Sequence, residues 1–104
     1  MFRTVSTTAA VALSLAFLPF SVSAQGPSGY YTATPVTAPA KASLVTRTTV
    51  WKCGEGVCAA AKSSSRDAVM CELLAREIGK LSAFTVAGAA FDDEALAKCN
   101  AKAR

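Results

Sequence analysis

The sequence predicts a small α+β domain with element order ββαβα, stapled by disulfides and preceded by a leader and a flexible arm. Three observations carry that reading. Two strand-like runs meet at a glycine-bearing loop, two later segments begin at helix-capping signals, and four cysteines all lie beyond position 52. At 104 residues the chain has room for one domain, whose core is small enough that cross-links matter.

The first 24 residues read as a signal peptide. Arg3 supplies the positive start, Ala9 to Phe20 is apolar except for Ser14, and Val22-Ser23-Ala24 places small residues where a signal peptidase reads them. A spanning helix needs about 20 apolar residues, and this apolar core ends at Pro19. No cysteine stands directly after the cut, the first being Cys53, so no lipid anchor is expected there; the mature chain is expected to start at Gln25 without a stable membrane span. Residues 25–42 are rich in Gly, Pro, Ser, Thr and Ala, a composition that repays little ordering entropy, and they read as a disordered arm. Tyr30-Tyr31-Thr32 is the one part of it able to add an edge strand.

The domain proper spans residues 43–104. Leu44 to Cys53 is rich in β-branched and aromatic residues, and Gly54-Glu55-Gly56 leads into a second run, Val57 to Ala61, so the two form a hairpin. Lys62-Ser63-Ser64-Ser65 breaks the pattern and opens a helix, with Ser64 as N-cap and Asp67 returning a bond to it. Met70, Leu74, Ile78 and Leu81 then share a narrow arc, and Gly79 is a terminator. Phe84-Thr85-Val86-Ala87 alternates as a short strand, turning at Gly88 towards Phe91. Asp92 caps a second helix whose acidic first turn and later Lys98 and Lys102 suit the helix dipole.

An even number of cysteines in a short exported chain predicts two disulfides. Cys53–Cys58 across the hairpin and Cys71–Cys99 between the helices is the preferred pairing of the three possible. The longer loop makes the second bond the larger contributor, at about 3 kcal/mol. The intervals of four, twelve and twenty-seven residues between successive cysteines fit neither a zinc site nor a C-x-x-C exchanger.

Histidine is absent, which removes the commonest general base and metal ligand. Lys62 beside three serines is better explained by a polar helix start than by a Ser–Lys pair, and Asp92-Asp93-Glu94 by capping than by calcium. The formal charge of +4 falls to +3 without Arg3, and its basic residues are scattered, unlike those of a nucleic-acid binder. No cofactor, metal or nucleic acid is expected.

The pattern Tyr30-Tyr31-Thr32-Ala33, Trp51-Lys52-Cys53, Cys58, Ser65-Arg66, Cys71, Leu74-Ala75-Arg76, Gly79, Phe84, Gly88, Leu96-Ala97 and Cys99-Asn100 resembles a family of small exported alphaproteobacterial proteins without an assigned function. Its members often carry Pro after the Ser-Arg pair, where this chain has Asp67. The resemblance implies export and one domain spanning all four cysteines; it implies no catalytic residue. The expected role is a non-catalytic periplasmic or secreted protein that binds a partner or stabilises an assembly. Trp51, Glu55 and Arg66 are its candidate contacts, although Trp51 is most simply a core residue and an exposed indole is the lesser of its two readings. The alternatives are a small thiol-redox or hydrolytic enzyme, and docking on anionic envelope material.

Overall fold

The computed structural model describes residues 26–104, so the expected leader lies outside the described residues. Eight elements follow one another: β1 (Tyr31–Pro35), β2 (Ser43–Thr46), β3 (Thr49–Gly54), β4 (Val57–Ala60), α1 (Asp67–Ile78), β5 (Leu81–Val86), β6 (Ala89–Ala90) and α2 (Asp93–Asn100). The strands make one antiparallel sheet in the order β2-β3-β4-β1-β5-β6. The α+β class and the succession of strands, helix, strands and helix agree with the sequence reading.

The main departure is β1. The segment expected to be an arm supplies a strand that lies inside the sheet, paired with β4 on one side and β5 on the other. The alternation Tyr31, Ala33, Pro35 points inward, with Tyr31 and Ala33 each 1% exposed. The Tyr31 hydroxyl stands 3.3 Å from both the backbone oxygen and nitrogen of Ser63. Pro35, which has no N–H to give, sits where the β1–β5 register shifts, and Val36 resumes the bonding by donating to the Lys80 carbonyl. Ahead of β1, the chain lies close against the β3–β4 hairpin. A Cβ at Gly26 would stand 2.5 Å from the Gly54 carbonyl oxygen, and one at Gly29 would stand 2.7 Å from that of Ala60.

The run from Leu44 to Cys53, read as one strand, is two. Arg47, at φ 56°, and Thr48 reverse the chain between β2 and β3. The expected hairpin turn lies between β3 and β4, where Glu55 and Gly56 both have positive φ, as a type I′ turn requires. The start of α1 is also corrected. The N-cap position belongs to Arg66, which makes no side-chain cap bond, while Ser63 Oγ accepts from the Ser65 N–H and Ser64 caps nothing. The helix ends as expected at Gly79, whose N–H bonds the Ala75 carbonyl, and Leu81 belongs to β5 instead of the helical arc. At α2, the Asp92 carboxylate accepts from the Ala95 N–H at 2.7 Å.

Directly opposite residues of neighbouring antiparallel strands share a face. Trp51, Cys58, Ala60, Tyr31, Ala33, Phe84 and Val86 therefore look to one side, where they pack with Met70, Cys71, Leu74 and Ala75 of α1 and Cys99 of α2. Burial of each large side chain contributes on the order of 1.5–3 kcal/mol. The other face carries the row Ser43, Lys52, Ala59, Thr32, Thr85 and Ala90, in register across all six strands.

Cys53 pairs with Cys58 and Cys71 with Cys99, leaving no free cysteine among the described residues. Two disulfides point to an oxidising environment outside the cytosol. Cys71–Cys99 spans 28 positions against 5 for Cys53–Cys58. Chain entropy assigns them about 3.5 and about 2 kcal/mol respectively. Cys71→Ser should therefore lower the melting temperature more than Cys53→Ser, as followed by circular dichroism. Equal shifts, or the reverse order, would contradict this assignment.

Candidate functional site

Trp51 is fully buried, and its indole N–H donates to Thr46 Oγ1 at 2.8 Å. Thr46 is the one buried polar side chain of the described core. It lies on the same side of the β2–β3 hairpin as Trp51, which is two positions further along the ladder. This corrects the assignment of Trp51 as a partner contact: its hydrogen-bonding group is spent inside the protein and its ring is packed near Tyr31 and Phe84. Glu55 and Arg66 are both exposed. Glu55 occupies the turn before β4 and Arg66 the N-cap position of α1.

The structure uses the remaining candidates as local supports. Lys62 Nζ stands 5.4 Å from the Tyr30 ring centre, a cation–π contact, and Ser63 Oγ is engaged by Ser65. Glu94 pairs with Lys98 at 3.3 Å on the surface of α2. Asn100, quoted above only as part of a pattern, has a definite task. Its amide oxygen accepts from the Leu81 N–H and its amide nitrogen donates to the Leu81 carbonyl, both at 2.8 Å. It thus pairs with β5 as another backbone would, and fastens the end of α2 to the sheet.

Two of the three exposed large apolar residues of the described chain lie on the β2–β3 hairpin, the third being Val36 after β1. Val45 and Val50 face each other across the ladder on the open side of the sheet, 58% and 52% exposed. Lys52 points to the same side, and Arg47 is exposed in the turn. On the helix side, a cleft of about 500 Å³ opens beside the half-buried Leu44, between the Thr37–Lys41 loop and Glu77 and Ile78 of α1, with Arg104 at its wall. The β2–β3 hairpin is silent in the sequence, because Thr46-Arg47-Thr48-Thr49 holds none of the Gly, Asn, Asp or Pro residues that mark a turn.

Among the described residues no three His, Cys, Asp or Glu side chains gather in a way that could hold a metal, and no helix is long and apolar enough to cross a membrane. The outward surface of the β2–β3 hairpin presents apolar area, cations and a strand edge.

The model of a family of unknown function, DUF8200, matches residues 6–101 of the chain. No curated protein and no solved structure matches it.

The burial of Trp51, the only tryptophan of the chain, gives a direct spectroscopic test. The native emission should be blue-shifted and resist acrylamide quenching. Thr46→Val should leave the indole N–H without its partner and lower stability by about 1–3 kcal/mol in urea unfolding. A red, freely quenched native emission would contradict the packing described.

Proposed function

The chain belongs to the DUF8200 family, and we propose that it is a non-catalytic binding or structural protein of the cell envelope, exported by its leader to the periplasm or beyond. The observation that carries the proposal is the uneven placement of charge. Residues 26–62 hold four basic side chains, Lys41, Arg47, Lys52 and Lys62, against the single acid Glu55. Residues 63–104 hold six of each sign. The whole positive excess therefore belongs to the part of the chain that builds β1 to β4, where it accompanies the exposed valine pair. Basic charge beside exposed apolar area on a cross-linked frame suits the recognition of an acidic partner: the charge steers the encounter and the apolar contact retains it. Glu55 and Arg66, both exposed, remain candidate contacts.

Docking on anionic envelope material draws on the same charge and differs in its salt response. Pure electrostatic attachment is lost at high ionic strength, whereas a partner held through apolar contact is partly retained.

Site-specific photo-crosslinking in living cells tests the proposal. A photoreactive side chain at position 45, 50, 55 or 66 should give a discrete protein adduct at native abundance, and one at position 98 on α2 should not. No adduct from any of these positions would refute the binding role.

A further inference from the structure

We propose that the free edge of β2 is a docking site for an extended, acidic segment of another protein, which adds to the sheet as a seventh strand. The proposal rests on the binding role above and names its site and the chemistry of its partner.

The backbone argument comes first. The Cys53 N–H bonds the Ala42 carbonyl, and in an antiparallel ladder hydrogen-bonded and non-hydrogen-bonded pairs alternate. Leu44 and Thr46 thus turn their backbone groups towards β3. Ser43 and Val45 turn theirs away from the sheet, on the side where β2 has no neighbouring strand. Two N–H and two C=O groups stand there in strand geometry, as β-strand addition requires.

The side-chain argument follows from the same alternation. An added strand would direct alternate side chains to the two faces of the sheet. On one face they would meet Val45 and Val50, the most exposed large apolar residues of this sheet. On the other they would lie beside Leu44 and the cleft that Ile78 helps to form. Both faces of the edge thus have an apolar contact ready.

Charge selects the occupant. Lys41 and Arg47 bracket β2, and Lys52 lies across the ladder from Ser43. A second copy of the chain is a poor fit. In one two-fold register, with Val45 opposite Ser43, Arg47 would face Lys41 of the other copy; in the register with Val45 opposite Val45, Arg47 would face Ser43. Either arrangement crowds two sets of cations together with no acid within β2 to offset them. Cations at a strand edge guard it against self-association, and these same cations attract a segment bearing carboxylates. The occupant is therefore a foreign acidic strand with apolar residues at alternate positions.

The test is an NMR titration of the natively processed, oxidised protein. The probe is a seven-residue peptide alternating glutamate and valine, acetylated and amidated at its ends. Amide shift changes should centre on Ser43 and Val45 and extend to Val50 and Ile78. A lysine–valine peptide of the same length should bind at least tenfold more weakly. Val45→Pro, which removes an outward N–H without touching the β2–β3 bonds, should weaken the response at least tenfold, and Val45→Thr should preserve it. If Val45→Pro fails to fold, the exposed pair Arg47→Glu and Lys52→Glu replaces it, with the same loss expected. Shift changes centred elsewhere, equal binding of the two peptides, or indifference to these substitutions would overturn the proposal. So would a β2-mediated dimer in sedimentation, or β2 responding to phosphatidylglycerol vesicles and not to the peptide. Crosslinks in cells from positions 55 or 66, with no peptide response at β2, would remove this site and leave the binding role standing.

Discussion

The Cys71–Cys99 disulfide is the constraint on which the rest of the fold depends, because it joins α2, which packs only Leu96 and Cys99 on the core, to the buried side of α1. Helix α2 is eight residues long, and Cys99 is its one buried side chain. A helix of this length is not stable alone in water. The disulfide ties it to Cys71 on the buried side of α1, and Asn100 then anchors its last turn to the backbone of Leu81. The two attachments are adjacent in sequence and reach different elements, one the helix beside α2 and one the sheet beneath it. Together they fix the position of α2, which a single contact would leave free to pivot.

From that arrangement follows the asymmetry of the molecule. The helices and the aromatic residues Tyr31, Trp51 and Phe84 share one face of the sheet, so the core is a single layer. A single layer in a chain this short buries limited apolar area, and covalent links reduce the entropy of the unfolded chain instead. The opposite face needs only residues that sit well on an open sheet. Thr32, Thr34 and Thr85 meet that need, and Ala59 is covered even so. The excess of positive charge and the exposed valine pair belong to the part of the chain that builds β1 to β4.

Much of this was legible in the sequence where the signal was local. The cap at Asp92, the stop at Gly79, the tight turn at Glu55-Gly56 and both disulfides each rest on residues close together or on simple cysteine pairing. The misreadings fall where the deciding partner is remote or the signal is unusual. Tyr31 pairs with Ala60 and Val86, 29 and 55 positions away, so nothing in the proline-rich stretch around it shows that β1 is central. The Arg47 turn lacks every customary turn residue, which concealed the free edge of β2 and with it the surface that carries the functional proposal. Trp51 was read two ways because its sequence neighbours do not reveal that Thr46 waits for its N–H.

The proposed binding surface is an edge strand flanked by cations, set on a frame that two disulfides close. The most direct test of that account is peptide mapping, without reduction, of the protein purified from its own compartment. The account predicts a chain starting at Gln25, with one linked peptide pair joining Cys71 to Cys99, a second link between Cys53 and Cys58, and no free thiol. Reduced cysteines, or a bond joining either hairpin cysteine to a helix cysteine, would contradict it.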